Sequence, residues 1–130
     1  MTAARLRRAC LALPGAEETF PFGPENSVFK VAGKMFALSR LKGKPLRVSL
    51  KCEPELAEGL RAAHEAIIPG YHLNKRHWNT VVLDGSLPEQ MVVEMIEDSY
   101  DLVVSALPRR RREALGWRGE GWRGESRGTA

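Results

Sequence analysis

The stretch PGYHLNKRHWNT, Pro69 to Thr80, holds the densest chemistry in the chain: two of its three histidines, Trp78, Asn74, Asn79 and the Lys75-Arg76 pair. The spacing restricts what that chemistry is. His72 and His77 stand five apart, not at the i, i+4 interval that sets two metal ligands on one helix face, and no cysteine or carboxylate lies between them. Cys52 precedes a predicted helix and carries no nucleophile signature that would make a pair with a histidine and Asn79. The stretch therefore reads as holding no metal, no cofactor and no catalytic constellation. His72, Asn74 and Asn79 are instead suited to hydrogen-bonding the backbone of an irregular turn, whose donors and acceptors would otherwise be unpaired. Trp78 suits a core plug, and Tyr71, beside Pro69-Gly70, a partly exposed turn aromatic. Lys75 and Arg76 stay in water, because burial without partners is costly, and a solvated pair of this kind beside an aromatic can contact phosphates.

Charge supplies a second candidate surface. Residues 108 to 130 carry seven basic side chains against three acidic ones, which accounts for the whole net charge of +4. The body before it is neutral but segregated. Residues 26 to 52 hold Lys30, Lys34, Arg40, Lys42, Lys44, Arg47 and Lys51 with no acid, and residues 84 to 107 hold six acids with no base. A molecule polarised in this way has a basic side that steers anionic partners. Lys34, Lys42, Lys44, Arg47 and Lys51, joined by Lys75 and Arg76, form the candidate nucleic-acid surface. The opposing explanation is that cations on a hairpin edge discourage sheet-to-sheet aggregation.

The elements that must position these residues follow from periodicity. Thr2 is a candidate N-cap for a helix whose apolar face is Leu6, Cys10 and Leu13, stopped by Pro14-Gly15. GAEETFPFGPENS then reads as a turn-rich connector whose Phe20 and Phe22 plug the core edge. Ser27–Val31 and Lys34–Leu41 flank a tight Ala32-Gly33 hairpin turn, and LKGKP leads into a third strand, Leu46–Lys51. There Leu46, Val48 and Leu50 alternate with Arg47, Ser49 and Lys51, which predicts one face on the core and one basic face in water. Pro54, with Glu53 and Glu55, starts a second helix carrying Leu56, Leu60 and Ala63 on one face, which ends before Ile67. A strand runs from Trp78 to Leu83. Ser86 and Glu89 have capping-box spacing for a third helix, with Val92, Ile96, Tyr100, Val103 and Leu107 as its apolar stripe and Pro108 at its end. Cys10 and Cys52 read as small reduced core residues rather than a disulfide.

From Pro108 onward the chain has almost no aliphatic content and a tandem repeat, GWRGE GWRGE. Burial cannot offset the entropy of ordering it, so residues 108–130 are expected to be disordered, outside a single domain spanning 1–107. Its arginines and tryptophans suit either stacking and charge on a nucleic acid or folding back on Glu94, Glu97, Asp98 and Asp101. No apolar run approaches the roughly 20 residues of a membrane span, so a soluble, cytoplasmic protein without membrane association is expected.

The blocks LPGAEETFPFGPENSVFKVAGKMFAL and PGYHLNKRHWNTVVLDGSLP, followed by the helix containing DSYDLV, resemble the MmcQ/YjbR family across roughly residues 5 to 107. The resemblance implies an α+β fold, an antiparallel sheet with helices packed on one face, similar to type III secretion chaperones. It also implies DNA binding through a "double wing" of β-structure, and it implies no catalytic residues. Three classes of function stay open. A largely nonspecific DNA-binding accessory protein predicts converging basic side chains. A module for a protein partner predicts an exposed apolar groove, and an undescribed enzyme predicts a pocket lined by His72 or His77. No signal in the sequence sets an oligomeric state.

Overall fold

The computed structural model describes residues 1–120. Six antiparallel strands form one sheet: β1 (Ala16–Thr19), β2 (Ser27–Val31), β3 (Lys34–Ser39), β4 (Arg47–Lys51), β5 (Ile67–Pro69) and β6 (Trp78–Val82), in the spatial order β1-β2-β3-β4-β6-β5. Helices α1 (Ala3–Leu11), α2 (Pro54–Ala63) and α3 (Glu89–Ser105) pack on one side of it, as the sequence predicts, and a short α4 (Arg109–Ala114) follows.

The core lies between that sheet face and the helices. Alternation along β4 sends Val48 and Leu50 into it, beside Val81 and Ile67 from β6 and β5 and Phe29 and Ala37 from β2 and β3. The predicted α3 stripe, Val92, Ile96, Tyr100, Val103 and Leu107, is buried throughout. Two devices fix α3 to the sheet. A register shift between Phe29 and Lys30 leaves Phe36 without a paired Cα, and Phe36 meets Tyr100 edge-on with ring centroids 5.5 Å apart. The neighbouring Ser99 hydroxyl donates to the Phe36 carbonyl at 2.6 Å and accepts from the Lys51 amide at 2.8 Å, so one side chain satisfies two backbone groups on adjacent strands. Tyr100 completes the anchor by donating to the Pro14 carbonyl at 2.6 Å.

Local turn chemistry agrees with the sequence at the β2–β3 hairpin, where Ala32 and Gly33 both have positive φ, 49° and 76°, as a two-residue turn matched to strand twist requires. Elsewhere the structure corrects the expectation. The connector after α1 contains strand β1, and Phe20 and Phe22 are exposed rather than plugging the core, because they fall in a turn beyond the end of β1 that no helix covers. Ser86 does not cap α3. Pro88 occupies the N-cap position, which shifts the helix start to Glu89, and Ser86 instead serves Asp84: its hydroxyl, and then its amide donating at 3.0 Å, lower the Asp84 carboxyl below its ordinary value.

The expectation of disorder from residue 108 fails for its first part. Pro108 stands at the N-cap of α4, and Gly116, at φ 69°, stands just past its C-cap. The Gly116 amide donates to the Glu113 carbonyl and the Trp117 amide to the Arg112 carbonyl, the paired bonds of a Schellman motif. Leu115 and Trp117 then pack against the core, with Leu115 so close to Gly15 that a Cβ there would lie 2.6 Å from its Cδ2. The indole N–H of Trp117 donates to the buried Asp101 carboxylate at 3.0 Å. Residues 121–130, the remainder of the expected disorder, lie outside the described residues.

Candidate functional site

The sheet face turned away from the helices is not flat. The turn following β3 and the loop following β5 rise on either side of it and leave a groove of about 500 Å³. Its floor comes from alternation along the two central strands: Ser49 and Thr80 are cross-strand partners in the β4–β6 register, their hydroxyls 2.8 Å apart. Lys42, Lys44 and Arg47 line one side together with Arg40, and among the described residues no carboxylate lines the groove. Arg40 is partly neutralised by Glu25 at 3.0 Å, an exposed pair. The turn carrying the lysines is closed by the Gly43 amide donating to the Arg40 carbonyl at 2.8 Å.

Tyr71 forms the other side. Gly70 lets its loop lie directly on β6: the Gly70 amide donates to the Trp78 carbonyl at 2.9 Å, and a Cβ at Gly70 would lie 2.8 Å from that of Trp78. The next amide, of Tyr71, donates to the Thr80 hydroxyl at 3.1 Å, which turns the chain back over the sheet and leaves the Tyr71 ring 66% exposed. His72 meets that ring at a tilt of 55°, with a centroid distance of 4.0 Å. Thus the PGYH segment shapes one groove wall, while His72 and His77 are not among the residues lining it.

The predicted basic residues divide between the two ends of the sheet. Lys42, Lys44 and Arg47 converge on the groove. Lys34 begins β3 and Lys51 ends β4, which places both at the opposite end; four strand steps, roughly 13 Å, separate Lys51 from Arg47. Lys75 and Arg76 belong to the loop entering β6 at Trp78, the partner of Lys51, so they too lie away from the groove. The Lys75 ammonium donates to the Gly70 carbonyl at 3.1 Å and remains exposed. Sequence reasoning left out Arg40 and the floor hydroxyls of Ser49 and Thr80. The alternation of Arg47 and Ser49 along β4 was the available signal for Ser49. Asn79 faces the helices rather than its own turn, accepting from Arg61 at 2.8 Å and donating to the Ala57 carbonyl at 3.4 Å.

A second concavity, about 250 Å³, lies on the helix side between α2 and α3. Leu50, Asn79 and Val81 floor it, Leu56 and Leu60 of α2 face Met95 and Leu102 of α3 across it, and Glu53, Asp98, Asp101 and Glu120 add carboxylates. Leu56 is 50% exposed there. Cys52 also lines it, and burial, then the Asp98 and Glu53 carboxylates, push its thiol above the ordinary value. Cys10, on the buried face of α1, is pushed up to about 12 by burial and by Glu18. Both cysteines are free. No helix among the described residues is long and apolar enough to cross a membrane.

Known proteins are similar to this chain. The Escherichia coli K12 protein YjbR, described as uncharacterized, is 41% identical over 115 residues, covering 88% of this chain and 98% of its own. The uncharacterized protein YbdF of Escherichia coli O157:H7 is 41% identical over 110 residues, covering 84% and 89%. A Deinococcus radiodurans crystal structure with the family domain DUF419 superimposes with a TM-score of 0.84 at 46% identity, covering 90% of this chain and 89% of that one. A family model described as YjbR matches residues 11–102, from the end of α1 to the last turns of α3. By sequence and by fold, the chain belongs to the YjbR family.

Proposed function

We propose that the groove on the open sheet face binds the phosphate backbone of a nucleic acid, without reading its sequence and without catalysis. The observation that carries this reading is the convergence of Lys42, Lys44 and Arg47 on one groove whose lining, among the described residues, holds no carboxylate. Phosphate oxygens accept from such side chains, and the exposed Tyr71 ring offers a stacking surface to an unpaired base. Base-edge readout needs a helix or ribbon shaped to a groove of the duplex, and among the described residues neither rises from this face. Because residues 1 to 107 sum to no net charge, binding is local rather than driven by the whole molecule.

Anisotropy of labelled duplex and single-stranded oligonucleotides across a salt series tests the reading. Three phosphate contacts give a slope of log K against log salt of about −2.7, at −0.9 per contact. The K42E/K44E/R47E protein is expected to bind about a hundredfold more weakly at low salt and to lose most of that slope. Equal binding by the reversed and wild-type proteins would remove the groove from consideration, and absence of binding by wild type at low salt would remove nucleic acid.

The cleft between α2 and α3 favours a second reading, a docking site for a protein segment, since its apolar walls and half-exposed Leu56 are suited to a hydrophobic side chain.

A further inference from the structure

We propose that the groove on the open sheet face holds single-stranded nucleic acid in preference to duplex, with unpaired bases stacked on Tyr71 at one rim and on Phe22 at the other and the phosphates along Lys42, Lys44 and Arg47. This rests on the groove binding phosphates and adds which form of nucleic acid it takes.

The first observation is where the aromatic surface lies. Among the described residues four large apolar side chains are at least half exposed: Phe20, Phe22, Leu56 and Tyr71. Leu56 belongs to the cleft on the helix side. Tyr71 lines the groove, and Phe20 and Phe22 stand in the turn between β1 and β2 that ends at Asn26, another lining residue. Three contacts hold that turn to the groove. The Asn26 amide donates to the Gly23 carbonyl at 3.2 Å, its side-chain amide donates to the Phe22 carbonyl at 3.5 Å, and the Glu25 carboxylate pairs with Arg40 at 3.0 Å. Phe22 is thus one hydrogen bond away from the lining and as exposed as Tyr71, at 66%.

The second observation is spacing. Asn26 leads into β2, and the Tyr71 amide is bonded to Thr80 of β6. These strands stand three places apart in the sheet, a separation of about 14 Å. About four nucleotides at the ~3.4 Å rise of a stacked strand cover that distance. The strands between them are β3 and β4, whose connecting turn carries Lys42 and Lys44 and whose second member begins with Arg47, so the cations fall between the two rings.

The chemistry then selects the strand. Bases in a duplex are paired and stacked on one another, so a duplex offers its phosphates to the cations and nothing to the rings. An unpaired base has a free face, and stacking it on an aromatic side chain is worth about tenfold. Two such rings outweigh the lower charge density of the single strand.

Anisotropy titrations of the full-length protein at one low salt concentration test this with three labelled probes of about 12 nucleotides or base pairs: oligodeoxythymidine, a duplex, and an abasic strand that keeps every phosphate and no base. Oligodeoxythymidine is expected to bind at least about tenfold more tightly than the other two. Tyr71→Leu and Phe22→Leu remove a ring at an exposed position and keep an apolar side chain. Each should lose about tenfold on oligodeoxythymidine and less than about twofold on the duplex and the abasic strand, whereas Tyr71→Phe should bind as wild type does. Across a salt series, three contacts give a slope of about −2.1 on the single strand, at −0.7 per contact, against about −2.7 on the duplex. Oligouridine in parallel separates RNA from DNA as the source of such a strand: both should need the rings, and the tighter binder names the source. Equal affinity of wild type for all probes, with K42E/K44E/R47E still weaker, would overturn the single-strand preference and leave the phosphate groove standing. Loss by Tyr71→Leu or Phe22→Leu on every probe alike would also overturn it, since that marks a distorted rim rather than lost stacking. Absence of binding to every probe would overturn the preference and the phosphate groove together.

Discussion

Strands β4 and β6 floor both concavities of this protein, and the two sides of one ladder could hardly differ more. On the open side the paired residues Ser49 and Thr80 present hydroxyls under a wall of lysine and arginine. On the helix side their immediate neighbours Leu50, Asn79 and Val81 lie under leucines, methionine and carboxylates. Neither strand is basic or acidic as a whole. The difference comes from period-two alternation in the floor and from what stands around it: turns from the base-only segment 26 to 52 on one side, and α3 from the acid-only segment 84 to 107 on the other. Charge segregation along the chain has become segregation across a sheet only one residue thick.

The sharpest way to break this comparison is to cut the joint that both sides use. Ser99→Ala leaves the Phe36 carbonyl and the Lys51 amide unpaired beneath α3, and should cost about 2–4 kcal/mol of stability in urea denaturation. Both surfaces should weaken together; a loss below about 1 kcal/mol would mean that Ser99 does not hold the helix layer to the sheet. A finer test separates the sides using adjacent residues. Thr80→Val strands the Tyr71 amide and the Ser49 hydroxyl, and Asn79→Leu removes the bonds to Arg61 and Ala57, each at about 1–2 kcal/mol. Oligonucleotide binding should fall about threefold in Thr80→Val and hold in Asn79→Leu, whereas Cys52 alkylation should rise only in Asn79→Leu. Reversal of that pattern would show that the two surfaces are not independently built.

The gentlest test concerns pH. The unfolded Cys10 thiol ionises near pH 8.5 and the folded one only near 12, so between those values the unfolded state has lost a proton that the native state retains. Stability from this group is therefore intact below about pH 8.5 and declines above it by up to about 1.4 kcal/mol per pH unit. Urea midpoints at pH 8 and 10 should diverge less in Cys10→Ala than in wild type, and equal divergence would locate the alkaline loss elsewhere.

Much of the frame was legible in the sequence because local signals and tertiary packing agreed. The Ala32-Gly33 turn, Pro54 and the α3 stripe each carry the structure's own period or punctuation. Strand β1 was missed because an edge strand pairs on one side only and can be as polar as AEET. Strand β5 is just three residues and ends in Pro69, which an edge tolerates. Helix α4 was hidden by composition: four arginines suggest solvation, while the apolar anchors Leu115 and Trp117 lie outside the helix itself. Its Pro108 and Gly116 were nevertheless the ordinary marks of a helix start and stop. For the groove, the sequence picked out Lys42, Lys44 and Arg47, which line it, but not which end of a strand each cation would occupy. Hairpin reversal puts Lys42, Lys44 and Arg47 at one end and Lys34, Lys51, Lys75 and Arg76 at the other, a sorting that depends on register rather than on composition.

The direct neighbours Asn79 and Thr80 also constrain how the gene can change. Substitution can tune one surface while leaving the other alone, since each position belongs to a single side. A one-codon insertion or deletion within β6 has no such privacy: it would turn hydroxyls inward and apolar side chains outward along the rest of the strand, altering both surfaces in one event. Length variation among relatives should therefore accumulate in the turn at 40–46 and in the loop at 70–77, and stop at the ends of the two strands that separate the groove from the cleft.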